Sequence, residues 1–341
     1  MSDKHKKWGS FFLQWIPGIL ISVVFIYFLN NLIDFQELLS AIMGIEIKHI
    51  LITCLLVVVS LGTRAAGWRA LLSNRITLKD SFFIVSEGYF LNNIIPRSGE
   101  IGRALLLGAT TNLNVMQGLS AIVIERAFDL AIAAVMFLTT IPFVLAMDWL
   151  QPIVITLLII VFVGLLLMFF IAYKKDVAEM WLRKISDRNQ FIKKVIFPQF
   201  NALLEGLQVL TNPIQILVGI FWIIISWSIW TILFYWMVTA FVKDTCFWWA
   251  IFSQSVLAMG IALPSAPAGL GVYEGTAVAA LSVFNIPKSS ALGIALILHI
   301  IQILMTSAIG LIGFVIQGVS IGETFKKIKA RAKKPQNKDQ E

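Results

Sequence analysis

An all-α polytopic membrane protein, with six transmembrane helices plus two re-entrant half-helix hairpins in an inverted-repeat arrangement, is the fold class this sequence predicts. Three observations carry that expectation. Of 341 residues, 58% are hydrophobic and 13% charged, against about 25% charged in a soluble domain. Six apolar runs reach the length of about 20 residues that a helix needs to cross a bilayer. Two more apolar segments are each broken by Pro and Gly, and the breaks at Pro96 and Pro264 lie 168 residues apart.

The six runs fall near 14–33, 49–68, 118–146, 152–173, 214–241 and 290–318. Ahead of the first stand Lys4, Lys6 and Lys7, but the run ends in bulky or polar Phe28-Leu29-Asn30-Asn31. No small-residue cleavage site follows, so the expectation is a retained span rather than a signal peptide. The first broken segment runs from Asp80 to Gly108, with its break in Asn92-Asn93-Ile94-Ile95-Pro96-Arg97-Ser98-Gly99-Glu100. The second lies between Trp248 and Phe284, with its break in Pro264-Ser265-Ala266-Pro267-Ala268-Gly269-Leu270-Gly271. Pro lacks an N–H and Gly surrenders backbone entropy, so neither stretch continues a helix. The arms are too short to cross alone, and irregular backbone inside a bilayer requires protein or water around it.

Charge tests this layout. With the N-terminus cytoplasmic and neither hairpin crossing, 23 of the 27 Lys and Arg face the cytoplasm. That count places Arg64, Arg69, Arg75 and Lys79 in one cytoplasmic connection and Arg97 and Arg103 at the first break. Such a bias follows the positive-inside rule. The net charge of +8 therefore reports topology, and no nucleic-acid partner is expected. Both termini are placed in the cytoplasm and the protein in the cell (inner) membrane. Residues 1–13 read as a basic N-terminus and 14–320 as one membrane domain. Within it, span, span, hairpin, span occurs twice, over about 14–146 and 152–318. A Gly/Pro-broken segment at matching places in two halves points to a transporter's midplane site; the alternative is a pair of kinked packing helices. Residues 174–213 form the main connection, where Trp181, Leu182 and Ile185 beside Arg183 and Lys184 predict a helix lying on the membrane surface. Residues 321–341 read as a basic tail, without apolar periodicity from Phe325 onward. Cys54 and Cys246 read as free thiols.

Ionisable groups within a bilayer are costly and each requires an account. The first half holds Glu87, Arg97, Glu100 and Arg103, then Glu125, Arg126 and Asp129; the second holds Glu274 and His299. Arg97, Arg103 and Arg126 offer guanidinium forks that match phosphate oxygens. The arms after the breaks add helix N-termini, which favour anions. Glu100 and Glu274 read as titratable gates or partners for a cationic head group. Asn92, Asn93 and Tyr273 complete the candidate substrate-binding set with Glu125 and Asp129, around hairpin tips at Pro96, Gly99, Pro264, Pro267, Gly269 and Gly271. Glu100–Arg103 and Arg126–Asp129 also read as buried ion pairs that lock helices, and His299 as a hydrogen-bonded packing residue. No P-loop, no metal-ligand spacing among three histidines and no Asp-x-Asp pair occur, so neither cofactor nor metal is expected.

Gly88-x-x-x-Asn92-x-x-x-Pro96-x-x-Gly99-Glu100-x-x-Arg103, then Glu125-Arg126-x-x-Asp129, then Pro264-x-x-Pro267-x-Gly269-x-Gly271-x-x-Glu274-Gly275 resemble the lysylphosphatidylglycerol synthase transmembrane (flippase-like) family over roughly residues 14–320. The chain departs from that pattern at Ala266 and Ala268, where Gly is expected more often. The resemblance implies a polytopic inner-membrane protein that moves or handles polar lipids, and a chain without the soluble aminoacyl-transferase domain of full-length synthases. The expected ligand is a membrane phospholipid or polyprenyl-linked lipid. Three functional classes follow: a flippase- or scramblase-like transporter and not an enzyme; an intramembrane enzyme with Glu100 or Glu274 as general base; or a non-catalytic partner of a lipid-modifying enzyme.

Overall fold

The computed structural model describes residues 35–144, 150–186, 196–262 and 266–332, together with Leu20, Val23, Val24 and Tyr27. The expected first span at 14–33, Pro264 and residues 333–341 lie outside the described residues or nearly so. Every regular element described is helical: α1 Phe35–Met43, α2 Ile47–Leu71, α3 Leu78–Ile94, α4 Gly99–Thr110, α5 Val115–Val144, α6 Leu150–Tyr173, α7 Lys175–Ser186, α8 Phe197–Leu207, α9 Pro213–Phe241, α10 Phe247–Ile261, α11 Val272–Ser282, α12 Lys288–Gln317 and α13 Ile321–Ala332, with 3₁₀ turns at Gln208–Thr211 and Pro267–Gly269. Among the described residues, α2, α9 and α12 are each long and apolar enough to cross a membrane; α6 makes a fourth if its bent continuation counts with it. The 30-residue α5 matches the expected run at 118–146 and carries Glu125, Arg126 and Asp129 in its first half.

The first break follows directly from local chemistry. A residue before proline is pushed out of the helical region, and Ile95 is extended at φ −125°, ψ 118°. Arg97 then takes a left-handed φ of 58°, and α4 begins at Gly99. Ser98 Oγ donates to the carbonyls of Leu91 and Ile95, both at 2.8 Å, so the end of α3 is covered. Where the two arms cross, a Cβ on Gly99 would lie 2.4 Å from the Gly88 carbonyl oxygen. That atom is backbone and cannot swing aside. Gly99→Ala should therefore splay the arms and destabilise the protein by about 1–3 kcal/mol, read as a lowered unfolding midpoint in detergent; an unchanged midpoint would remove this crossing from the account.

The second break differs in kind. After α10, a 3₁₀ turn holds Ala268 at φ 59°, and Gly269 and Gly271 sit at φ 82° and 83°. Ala268 thus adopts a conformation that glycine takes more readily, at one of the two positions where the sequence departs from the family pattern.

Packing links the two halves. Helix α2 lies along α9, α3 along α12, and α10 along α5; α3 pairs with α4 as α10 pairs with α11, and α4 meets α5 as α11 meets α12. The same partners recur when α2, α3, α4 and α5 are exchanged for α9, α10, α11 and α12. The 3₁₀ turn of the second break also packs on α3. Phe82 and Tyr89 of α3 touch both of the larger hydrophobic clusters, so α3 is the seam between halves. Outward, α6 exposes Ile159, Ile160, Phe162 and Leu167, an apolar surface of the kind that lipid rather than water would cover.

Four expectations meet the structure here. The axis turns by 80° between Leu158–Tyr173 and Lys175–Trp181, and α7 carries exposed Met180 and Trp181, which fits the surface helix expected at 174–213. The tail is corrected: residues 325–332 are part of α13, with Ile328 buried and the helix packed on α4. Ile321, Phe325 and Ile328 share one face at helical spacing, and that stripe is what docks it. Arg64, counted among the cytoplasmic charges although it falls in the run at 49–68, is a buried member of α2, with only 7% of its surface exposed. Cys54 and Cys246 are free thiols.

Candidate functional site

Five charged residues from three helices meet behind the first break. Glu125 of α5 is fully buried and is held by two arginines. Arg103 of α4 grips it with both ends of its fork, Nη1 to Oε1 at 3.0 Å and Nη2 to Oε2 at 2.9 Å. Arg64 of α2 donates from Nε and Nη2 to Oε1 at 3.1 and 2.7 Å. The remaining face of Arg64 engages Asp129, from Nη1 to Oδ1 at 2.7 Å and from Nη2 to Oδ2. Trp227 of α9 donates to Asp129 Oδ1 at 2.9 Å, and Arg103 lies 4.5 Å over the Trp68 ring. Charge-assisted, two-pronged contacts of this sort fix orientation as well as position.

Arg126 is the third guanidinium, and it differs from the others. Its side chain is 45% exposed, against 8% for Arg64 and 5% for Arg103. It touches Glu125 and Asp129 at 3.3 Å each, both already committed to better-placed partners, and Glu100 at 3.9 Å. Three arginines against two buried carboxylates leave one positive charge, on the arginine that faces outward, whose further partner is the half-buried Glu100. That arginine opens into a groove of about 480 Å³ between α5 and α6, lined by Leu119, Ile122, Val123, Ala127, Leu130, Val161, Gly164, Leu165 and Met168, with Glu100 beside Arg126 at its polar end. The groove is an apolar trough with a guanidinium and a carboxylate among its lining residues.

The other candidate residues serve the breaks. Asn92 Oδ1 accepts from the Gly99 N–H at 2.7 Å, so the N-terminal donor of α4 is already filled. Asn93 Nδ2 donates to Thr306 and Ser307 hydroxyls of α12 at 3.0 and 2.9 Å. Arg97 reaches across to donate to the Ala262 carbonyl at 2.6 Å, which ties the first break to the end of α10. Pro96, Gly99, Pro267, Gly269 and Gly271 lie at the two breaks. Glu274 is not alone: Oε1 lies 2.6 Å from His299 Nδ1, and Oε2 accepts from the Gly271 N–H at 2.7 Å. Tyr273 stacks on the His299 ring at 4.2 Å. The helix N-termini after both breaks are thus capped internally, so the expected anion would find the Gly99 and Gly271 donors occupied.

Sequence reasoning missed Arg64, Trp68 and Trp227. The signal for Arg64 was its position, an arginine inside the apolar run of α2 with no acidic residue at helical spacing.

Comparison with known proteins finds membrane proteins along most of the chain. The family model described as lysylphosphatidylglycerol synthase TM region matches residues 15–310. Two proteins of Methanocaldococcus jannaschii are similar over most of their length. The UPF0104 membrane protein MJ1595 is 21% identical over 320 residues, covering 87% of this chain and 93% of the archaeal protein. The UPF0104 membrane protein MJ1078 is 24% identical over 238 residues, covering 67% and 94%. No solved structure matches.

Proposed function

The chain belongs to the lysylphosphatidylglycerol synthase TM region family, and on that premise we propose that it moves a phosphate-bearing polar lipid between membrane leaflets, as a flippase- or scramblase-like transporter and not as an enzyme. The observation that carries this reading is the α5–α6 groove with Arg126 and Glu100 at its polar end. Acyl chains would lie along Leu119, Val123, Leu130 and Val161, where burial of apolar surface contributes about 25 cal/mol per Å². The head-group phosphate would meet Arg126 and, at the crossing of the two breaks, Arg97. Glu100 would receive the amine of a head group that has one. Arg64, Arg103, Glu125 and Asp129 hold Arg126 in place from behind.

The same reading takes the two broken segments as re-entrant hairpins within an inverted repeat, in the inner membrane with cytoplasmic termini. It is supported by the exchange of packing partners between halves and by the tie from Arg97 to Ala262. A membrane phospholipid is the substrate class; a polyprenyl-linked lipid offers the same phosphate and a longer tail.

Purified protein in vesicles, with a fluorophore on the acyl chain of phosphatidylglycerol or phosphatidylcholine, measures lipid movement between leaflets directly. Gly164 offers a clean obstruction, since a Cβ there meets no atom within 4 Å. Gly164→Phe should fill the groove, fold normally and slow transport about tenfold or more. Protein-containing vesicles no faster than empty ones would overturn transport; a Gly164→Phe variant as fast as wild type would overturn this groove as the route.

A further inference from the structure

The second break is held shut through a buried imidazole that faces two acceptors at once. His299 of α12 points Nε2 at the Ala268 carbonyl oxygen, 2.9 Å away, and Nδ1 at Glu274 Oε1, 2.6 Å away. A carbonyl oxygen only accepts, so Nε2 carries a proton. A second proton is then needed between Nδ1 and Oε1, on one atom or the other, because two bare lone pairs at that distance repel. A proton on Glu274 Oε2, which accepts from the Gly271 N–H, would not serve, because the lone pairs of Nδ1 and Oε1 would still face each other. Both contacts of His299 are satisfied only when the His299–Glu274 pair carries one proton more than a neutral imidazole beside a carboxylate.

We propose that His299 and Glu274 form a binding site for a single proton, and that occupancy of this site locks the second broken tip. When the proton leaves to solvent, one proton remains on the ring for two acceptors. The charge-assisted bond to the carboxylate is the stronger, so Nδ1–H stays with Glu274 and Nε2 turns its lone pair to Ala268. The carbonyl is released. Ala268 carries a Cβ in the left-handed region and lies between the left-handed Gly269 and the segment leading from α10, so the turn has a ready direction in which to relax. Because this turn packs on α3 and Arg97 of the first break reaches Ala262, loosening it would loosen the meeting of the two breaks.

The comparison between halves sharpens the argument. In each half the arm after the break is pinned to the following long helix by a buried charge-bearing pair, Arg103 to Glu125 and Glu274 to His299. Glu125 is the eleventh residue of α5 and His299 the twelfth of α12. The first pin uses a guanidinium, which does not lose its proton; the second uses the one side chain suited to doing so near neutral pH. One break is fixed and the other is switchable.

Around this pair the titratable groups of the packed elements stand as follows among the described residues. Tyr273 stacks on the ring, and α10 carries no charged side chain. Glu37 stands on α1, which packs against α12. Lys48, His49, Cys54, Arg64 and Arg69 of α2, Lys79, Asp80, Glu87 and Tyr89 of α3, Tyr235 of α9 and Lys288 of α12 make no hydrogen bond or ion pair with Glu274 or His299 among the described residues. The lock itself stands on this geometry; its use as a gate for lipid rests on the transport reading above.

A local probe keeps the two apart. With Cys54 and Cys246 replaced by Ser, a nitroxide on Leu270→Cys, an exposed position of the tip, reports mobility in nanodiscs without any lipid assay. Between pH about 5 and pH about 9 its correlation time should fall about twofold or more in the otherwise native chain. Glu274→Gln supplies an amide N–H for Nδ1 and a carbonyl for Gly271 with no added proton, so the label should stay immobile throughout. His299→Ala should leave it mobile throughout. A label whose motion ignores pH in the native chain, or still follows pH in Glu274→Gln, overturns the proposal, whatever the vesicle assay shows.

Discussion

Glu125→Ala is expected to destabilise the protein by about 3–5 kcal/mol, the cost of leaving a buried charge without its partner. Three guanidiniums would be affected. Arg103 would keep only the face of Trp68, Arg64 would keep Asp129 alone, and Arg126 would lose its 3.3 Å contact. Because Arg103 Nε already lacks a partner among the described residues, little in the described surroundings can compensate. Thermal or denaturant unfolding of purified protein in detergent measures the loss. Replacing both members of the Arg103–Glu125 pair by apolar residues of similar size, Arg103→Met with Glu125→Leu, should recover most of it, since a buried pair exchanged whole is often neutral or better. A single variant within about 1 kcal/mol of wild type would show that the network is not structural. The consequence for function is a division of labour, in which the buried charges set the position of the exposed one.

Arg126→Gln is expected to do the opposite, leaving the unfolding midpoint nearly unchanged while transport falls. Its side chain is 45% exposed, and its carboxylate contacts are long, 3.3 Å to Glu125 and Asp129, which other arginines already hold, and 3.9 Å to Glu100. Surface ion pairs of that quality contribute about 0–1 kcal/mol. A phosphate held by the fork would instead lose about 1.5–3 kcal/mol of charge-assisted hydrogen bonding, a decline of about 10- to 100-fold in rate. Arg126→Lys should retain part of the activity, because a point charge attracts phosphate but cannot grip it with two parallel bonds. Equal transport by wild type and Arg126→Gln in the vesicle assay would remove Arg126 from the substrate path. Loss of folding together with transport would make it another member of the buried network.

How the candidate residues divide between these roles follows from distance along the chain. Arg126–Asp129 was visible as a helical-spacing pair, and both the structural and the binding reading of it were open. The Glu100–Arg103 pair that helical spacing offered is corrected: Arg103 grips Glu125, 22 positions on, and Glu100 stands by Arg126. Arg64 could not be read as a ligand of Glu125 and Asp129, from which 61 and 65 positions separate it. His299 and Glu274 are 25 apart, beyond any local pattern. Asn92 was grouped with substrate contacts, although its oxygen caps a helix seven residues later; only the folded break shows which N–H it meets.

What the amino-acid order settled unaided is the helical, membrane-embedded character of the chain and the places where helices stop. Pro96 forbids helix at Ile95, Gly271 admits the turn before α11, and apolar runs lengthen α2, α9 and α12; each is a property of a few neighbouring residues. Tertiary structure alone decided which arginine stays outward, that the tail helix docks on α4, and that Glu274 sits against His299. These depend on which helices lie side by side, and burial then determines which charges can remain unpartnered: an ion in contact with water tolerates solitude, whereas one enclosed by apolar side chains does not.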